Sequence, residues 1–134
     1  MTLKRMNMTA TQTVDGQTDS NTVQTLAKWE FSPEAVVITY DEQGDMRGST
    51  TVVTAQGNTV TIARRGLTNT RMTFECKKRH AFDYESAAGM LKLSTVTETV
   101  DPQWDEHGGT LTLRYRLYAD GLLVSKNEIV MQIS

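Results

Sequence analysis

The sequence predicts an all-β fold, an antiparallel up-and-down meander closed into a barrel of about 8–10 strands. Three observations carry the reading. Threonine is abundant and prolines number only two, a composition suited to strands. Turn clusters such as Asp15-Gly16 and Gln56-Gly57-Asn58 recur at short intervals. The stretch from Gly108 to Ile133 then alternates apolar positions through Leu111, Leu113, Tyr115 and Leu117, and again through Leu123, Ser125, Asn127, Ile129, Met131 and Ile133. A meander of so many strands must either cover its edges or close on itself, which favours a barrel over a sandwich.

The elements follow in order. Residues 1–7 precede the pattern and read as a poorly ordered extension. Strands are expected at 8–14 and 22–31, with a turn at 15–20, and a break at Ser32-Pro33 precedes the run AVVITY at 35–40, apolar on both faces. The charged loop DEQGDMRG leads to strands at 49–55 and 59–64. After the loop at 66–69, residues 71–76 and 79–84 read as a hairpin over Lys77-Lys78. A helical turn is expected at 84–89, followed by a strand at 90–99. The stretch VDPQWDEHGG reads as the longest irregular connection, and the last hairpin turns at Ala119, Asp120 and Gly121.

From about Met8 onward the chain resembles the YwiB-like family of small bacterial proteins of unknown function. The resemblance rests on RHAFDYESAAGMLKL from Arg79, GGTLTLRYRL from Gly108 and DGLLVSKNEI from Asp120, in that order. Ser86 stands where the family pattern has threonine, which keeps a hydroxyl. The resemblance implies a calycin-like, lipocalin-related barrel. It implies no activity, catalytic residue or cofactor.

Composition narrows the function classes. The 134 residues suit one domain, and 14 basic against 16 acidic residues, a net charge of −2, give no whole-domain footprint for nucleic acid. The single cysteine, Cys76, excludes an intrachain disulfide and suits a reducing compartment; with two histidines it offers no metal spacing. No apolar run is long enough for a signal core or a membrane span, so a cytoplasmic protein away from membranes is expected.

Ser125 and Asn127 place polar groups where the alternation asks for hydrocarbon. Side-chain parity gives them company: Arg64, His80, Tyr84 and Tyr115 fall on the same inferred interior. One reading is a lumen that binds a small anionic or polar ligand, with Arg64 as anchor. The other is a barrel filled by side chains that satisfy one another. Outside, Lys77, Lys78 and Arg79 form a basic hairpin, and Trp104 is either a plug for one end or a contact for a partner. These make a structural or regulatory module for a protein or RNA the alternative function. Nucleic acid is the less favoured partner because stacking aromatics are missing from the exposed faces. Apolar residues on the outer parity of the last strand, Leu122, Val124 and Val130, suit self-association as a homodimer. No catalytic cluster or cofactor is expected: Lys126 points away from Ser125, and Cys76 and His80 lack a third orienting group.

Overall fold

The computed structural model describes residues 2–134. Their β-strands are β1 (Thr2–Val14), β2 (Gln17–Phe31), β3 (Val36–Asp41), β4 (Thr50–Gln56), β5 (Thr59–Arg65), β6 (Thr70–Glu75), β7 (Arg79–Ser86), β8 (Gly89–Asp105), β9 (Gly108–Ala119) and β10 (Leu122–Ile133). All join one antiparallel sheet in the order β6-β5-β4-β3-β2-β1-β10-β9-β8-β7. Every strand pairs with its neighbours in sequence except at two places. β1 pairs with β10, joining the chain ends, and β6 does not pair with β7. The result is an up-and-down barrel, closed firmly at the ends of the chain and left with a seam in its middle. Among the described residues no helix is long and apolar enough to cross a membrane.

The two Asp-Gly turns behave as their residues require. Asp15 and Gly16 have φ of 51° and 79°, and Asp120 and Gly121 have 50° and 77°, the left-handed pair that a two-residue hairpin turn needs. Alternation then decides which side chains enter the core. Ile38, Val53, Leu111, Leu113 and Met131 are buried and interdigitate inside the barrel.

Four expectations are corrected. Residues 2–7 are strand, not an extension: β1 is paired on one side with β2 and on the other with β10, and Met6 is buried at 1 % exposure. A stretch carrying Lys4, Arg5 and Asn7 looks solvated, yet strand alternation sends those charges outward or to the rim. The VDPQWDEHGG segment is not a loop. β8 runs on to Asp105 and β9 starts at Gly108, leaving a two-residue turn. Pro102 is tolerated because β7 pairs with β8 only from Val96 back to Gly89, so beyond that point β8 is an edge. Gly109 sits opposite Trp104, and a Cβ there would run into the Trp104 backbone.

The 84–89 stretch is a tight hairpin turn in place of a helical one. Ser86 Oγ accepts from the Ala88 amide at 3.2 Å and donates to the Gly89 carbonyl at 2.7 Å. Finally, β6 and β7 do not form a hairpin. Lys77 takes φ of 64°, and its amide donates to the Thr97 carbonyl of β8 at 2.8 Å, so the chain docks on β8 and crosses the seam. The Thr95 hydroxyl, donating to the Thr73 carbonyl at 2.8 Å, adds a second tie between β8 and β6.

Candidate functional site

The two ends of the barrel differ. One end is shut by aromatics: Trp29, 3 % exposed, meets Trp104 edge-on with ring centres 5.6 Å apart, and its Nε1 donates to the Glu106 carbonyl at 3.2 Å. Trp104 is partly buried and packs against the core there. Toward the other end, interior positions turn polar. Tyr40, Thr51 and Arg64 are cross-strand neighbours on β3, β4 and β5, and Thr97, Tyr115 and Asn127 are cross-strand neighbours on β8, β9 and β10.

In the second group only Ser125 and Asn127 answer each other, and Thr97 Oγ1 has no partner. Asn127 Nδ2 donates to Ser125 Oγ at 2.9 Å, with Ser125 2 % exposed, and the Tyr115 ring lies 4.7 Å from that of Phe74. In the first group the contacts are longer. Arg64 reaches Glu42 at 3.7 Å, a long ion pair with a guanidinium side chain 34 % exposed and a carboxylate only 9 % exposed. The Tyr40 hydroxyl has a weak acceptor, Met8 Sδ, at 3.8 Å, while Glu42 and Thr51 stand near it. Of six buried side-chain polar atoms without a hydrogen-bond partner among the described residues, four belong to this interior: Glu42 Oε1, Thr51 Oγ1, Arg64 Nε and Thr97 Oγ1. Thr51 and Thr97 are 0 % and 1 % exposed, so bulk water does not serve them. Leaving such groups unserved costs about 1–3 kcal/mol each.

Electrostatics ties the two groups together. Burial raises the Tyr40 phenol well above its ordinary range, and the nearby Glu42 charge adds to the rise while Arg64 opposes it. Burial also pushes Tyr115 up to about 12, again opposed by Arg64. The charge of Arg64 is thus felt at both phenols. At neutral pH both hydroxyls are protonated donors beside one cation and one carboxylate. That set can hold a polar molecule through several converging bonds, and it contains no nucleophile with a base to activate it.

The remaining candidates lie elsewhere. His80 pairs with Glu75 at 2.9 Å at the start of the seam, and this bond, followed by that from Lys78, holds the Glu75 carboxyl below its usual range. Tyr84 is 39 % exposed near the tip of the β7–β8 hairpin, away from the polar layer, because that hairpin extends beyond the end of β9. Lys78 is bound to Glu75 at 3.1 Å, and Arg79 stacks over Tyr118 at 4.9 Å. Lys77 is exposed on the turn. Cys76 is exposed, its Sγ donating to the Glu98 carbonyl at 3.1 Å. No three His, Cys, Asp or Glu side chains converge on a metal-sized site among the described residues.

Sequence reasoning passed over Glu42, Tyr40, Thr51 and Thr97. Glu42 stands in a charged loop and reads as solvated, and threonine in a strand signals only β propensity. Parity gave the one available clue, since Tyr40, Thr51 and Arg64 all fall on the inward face.

A family model described as "Domain of unknown function (DUF1934)" matches residues 6–131, nearly the whole chain. The chain belongs to this family. The crystal structure of the YwiB protein from Bacillus subtilis superimposes with a TM-score of 0.84 at 19 % identity, covering 99 % of this chain and 92 % of that one. Together they place the chain among YwiB-like proteins and support the barrel. No curated protein matches it. The family's description carries no activity, so a function has to be argued from the site.

Proposed function

We propose that this chain is a non-catalytic binding barrel of the calycin-like kind, working in the cytoplasm, which holds a small anionic or polar ligand against the layer around Arg64. The observation that carries the reading is the set of four unpartnered polar atoms. Glu42 Oε1 and the two threonine hydroxyls can accept and Arg64 Nε can only donate; three of the buried atoms belong to the group around Arg64, and Thr97 Oγ1 belongs to the group on β8 to β10. A filler layer would be expected to pair its own groups, as Ser125 and Asn127 do. Because Glu42 offsets the charge of Arg64, a fitting ligand presents an acceptor to the guanidinium and a donor to the carboxylate. The barrel beyond is filled by packed apolar side chains and ends on Trp29 and Trp104, which limits how deep a polar group can go.

Native mass spectrometry of the freshly purified protein tests the reading. The expected result is a small bound mass that is lost from Thr51→Val and Arg64→Ala variants retaining a native circular-dichroism spectrum. Bare protein, or a bound mass indifferent to both substitutions, would sink it.

A further inference from the structure

The seam carries a second reading, which rests on strand edges and on arginines other than the anchor of the lumen. β6 pairs only with β5, and β7 only with β8, so two strand edges face one another unpaired. They are held together at their shared turn, where the Lys78 amide donates to the Glu75 carbonyl at 3.0 Å and His80 meets Glu75. Farther from the turn, a cleft of about 560 Å³ opens between Asn69–Thr73 on one wall and Ala81–Asp83 on the other.

The main chain of that cleft is prepared for a strand. The Thr73 carbonyl points into the seam, since it accepts from Thr95 Oγ1. Strand alternation therefore turns the N–H and C=O of Arg71, two residues back, to the same side. Among the described residues no strand meets them. The side chains add a charge preference. Arg64, Arg65 and Arg71 line the cleft; Arg64 is engaged by Glu42, whereas Arg65 and Arg71 are exposed and form no ion pair among the described residues, and the opposite wall offers the single carboxylate of Asp83. Arg65 and Arg71 also border a groove of about 450 Å³ on the outer face of β4 to β6, walled largely by threonines, so the basic surface extends past the seam.

We propose that the seam receives an extended acidic peptide segment of another protein, added as a strand along β6 with its carboxylates on Arg65 and Arg71. Strand addition supplies affinity through main-chain bonds and specificity through alternate side chains. An unpaired edge inside a nearly closed barrel is the place where a strand gains most, because it can bond to both walls. A single-stranded nucleic acid fits less well: Phe82 is the one aromatic residue lining the cleft, and base stacking needs several.

The test is selection of random linear peptides, displayed on phage, against the full chain. Selected peptides are expected to carry Asp or Glu at alternate positions and to bind the Arg65→Glu, Arg71→Glu double variant at least about tenfold more weakly. Both residues are exposed, so the variant should melt with the native protein. In hydrogen exchange the bound peptide should protect the amides of Arg71 and of residues 81–83. Peptides without acidic bias, an absence of added protection at the seam, or tighter arginine-dependent binding of an oligouridylate RNA would each overturn the proposal.

Discussion

The two sides of the buried polar layer meet the same demand in different ways. On β10, Ser125 and Asn127 answer each other through a 2.9 Å bond and need nothing more. Across the barrel, Tyr40, Glu42, Thr51 and Arg64 are assembled from three strands and a loop, joined by a long 3.7 Å ion pair, with Glu42 and Thr51 close to a phenol whose hydroxyl reaches outside the set to Met8 Sδ. Burying polar groups is costly in either place. A site that pairs its own groups is structure, and one that holds them apart under burial is set up to be completed from outside. This difference, more than the presence of polar residues in a barrel, is what separates a filled lumen from a binding one.

The comparison can be broken by titration and by substitution. The largest effect is expected at alkaline pH. Burial raises Tyr115 to about 12 from its ordinary 10.0, so the folded state keeps a proton that the unfolded chain gives up. The associated stability is complete below pH 10 and is lost as pH rises from 10 toward about 12, an effect of roughly 3 kcal/mol for this group. Tyr40 shifts in the same direction and adds to it. Chemical denaturation at stepped pH should show the decline, and a flat stability across that window would mean the phenols are solvated.

Next in size is Arg64→Ala, which leaves Glu42 buried without its cation. A loss of about 2 kcal/mol is expected, smaller than for a fully buried pair because 34 % of the arginine side chain is exposed. Adding Glu42→Gln should recover part of it.

The smallest effects differ in sign. Ser125→Ala removes the acceptor of Asn127 and should cost about 1 kcal/mol. Thr51→Val deletes a hydroxyl that has no partner, and in ligand-free protein it should leave stability unchanged or raise it by up to about 1 kcal/mol. Equal losses at both positions, measured by urea denaturation, would erase the distinction between the two sides.

Much of the barrel was legible because alternation is a strong signal where one strand face is buried. The inward set Leu111, Leu113, Tyr115 and Ser125 to Ile133 is as the sequence implies. It fails at Leu123, which lies across from Tyr118 on the outer parity, because a bulge at Val124 adds a residue and flips the register. A second bulge near Glu98 does the same in β8. Neither has a glycine to announce it. The seam was hidden for another reason. Short-range signals favour a hairpin wherever two strands flank a turn, and only the docking of Lys77 on Thr97, a contact between distant segments, decides otherwise. Arg64 was found by parity and its basic character. Its partner Glu42 was not, since the burial of a loop carboxylate depends on how the loop folds over the mouth.

The most direct measurement is a high-resolution crystal structure of protein purified without exposure to added metabolites. Ligand binding at this layer requires non-protein density of a small molecule within hydrogen-bonding distance of Thr51 Oγ1, Glu42 Oε1 and Arg64 Nε, with the Ser125–Asn127 pair unchanged. A layer closed by side-chain rearrangement, or bridged by water alone, would contradict it.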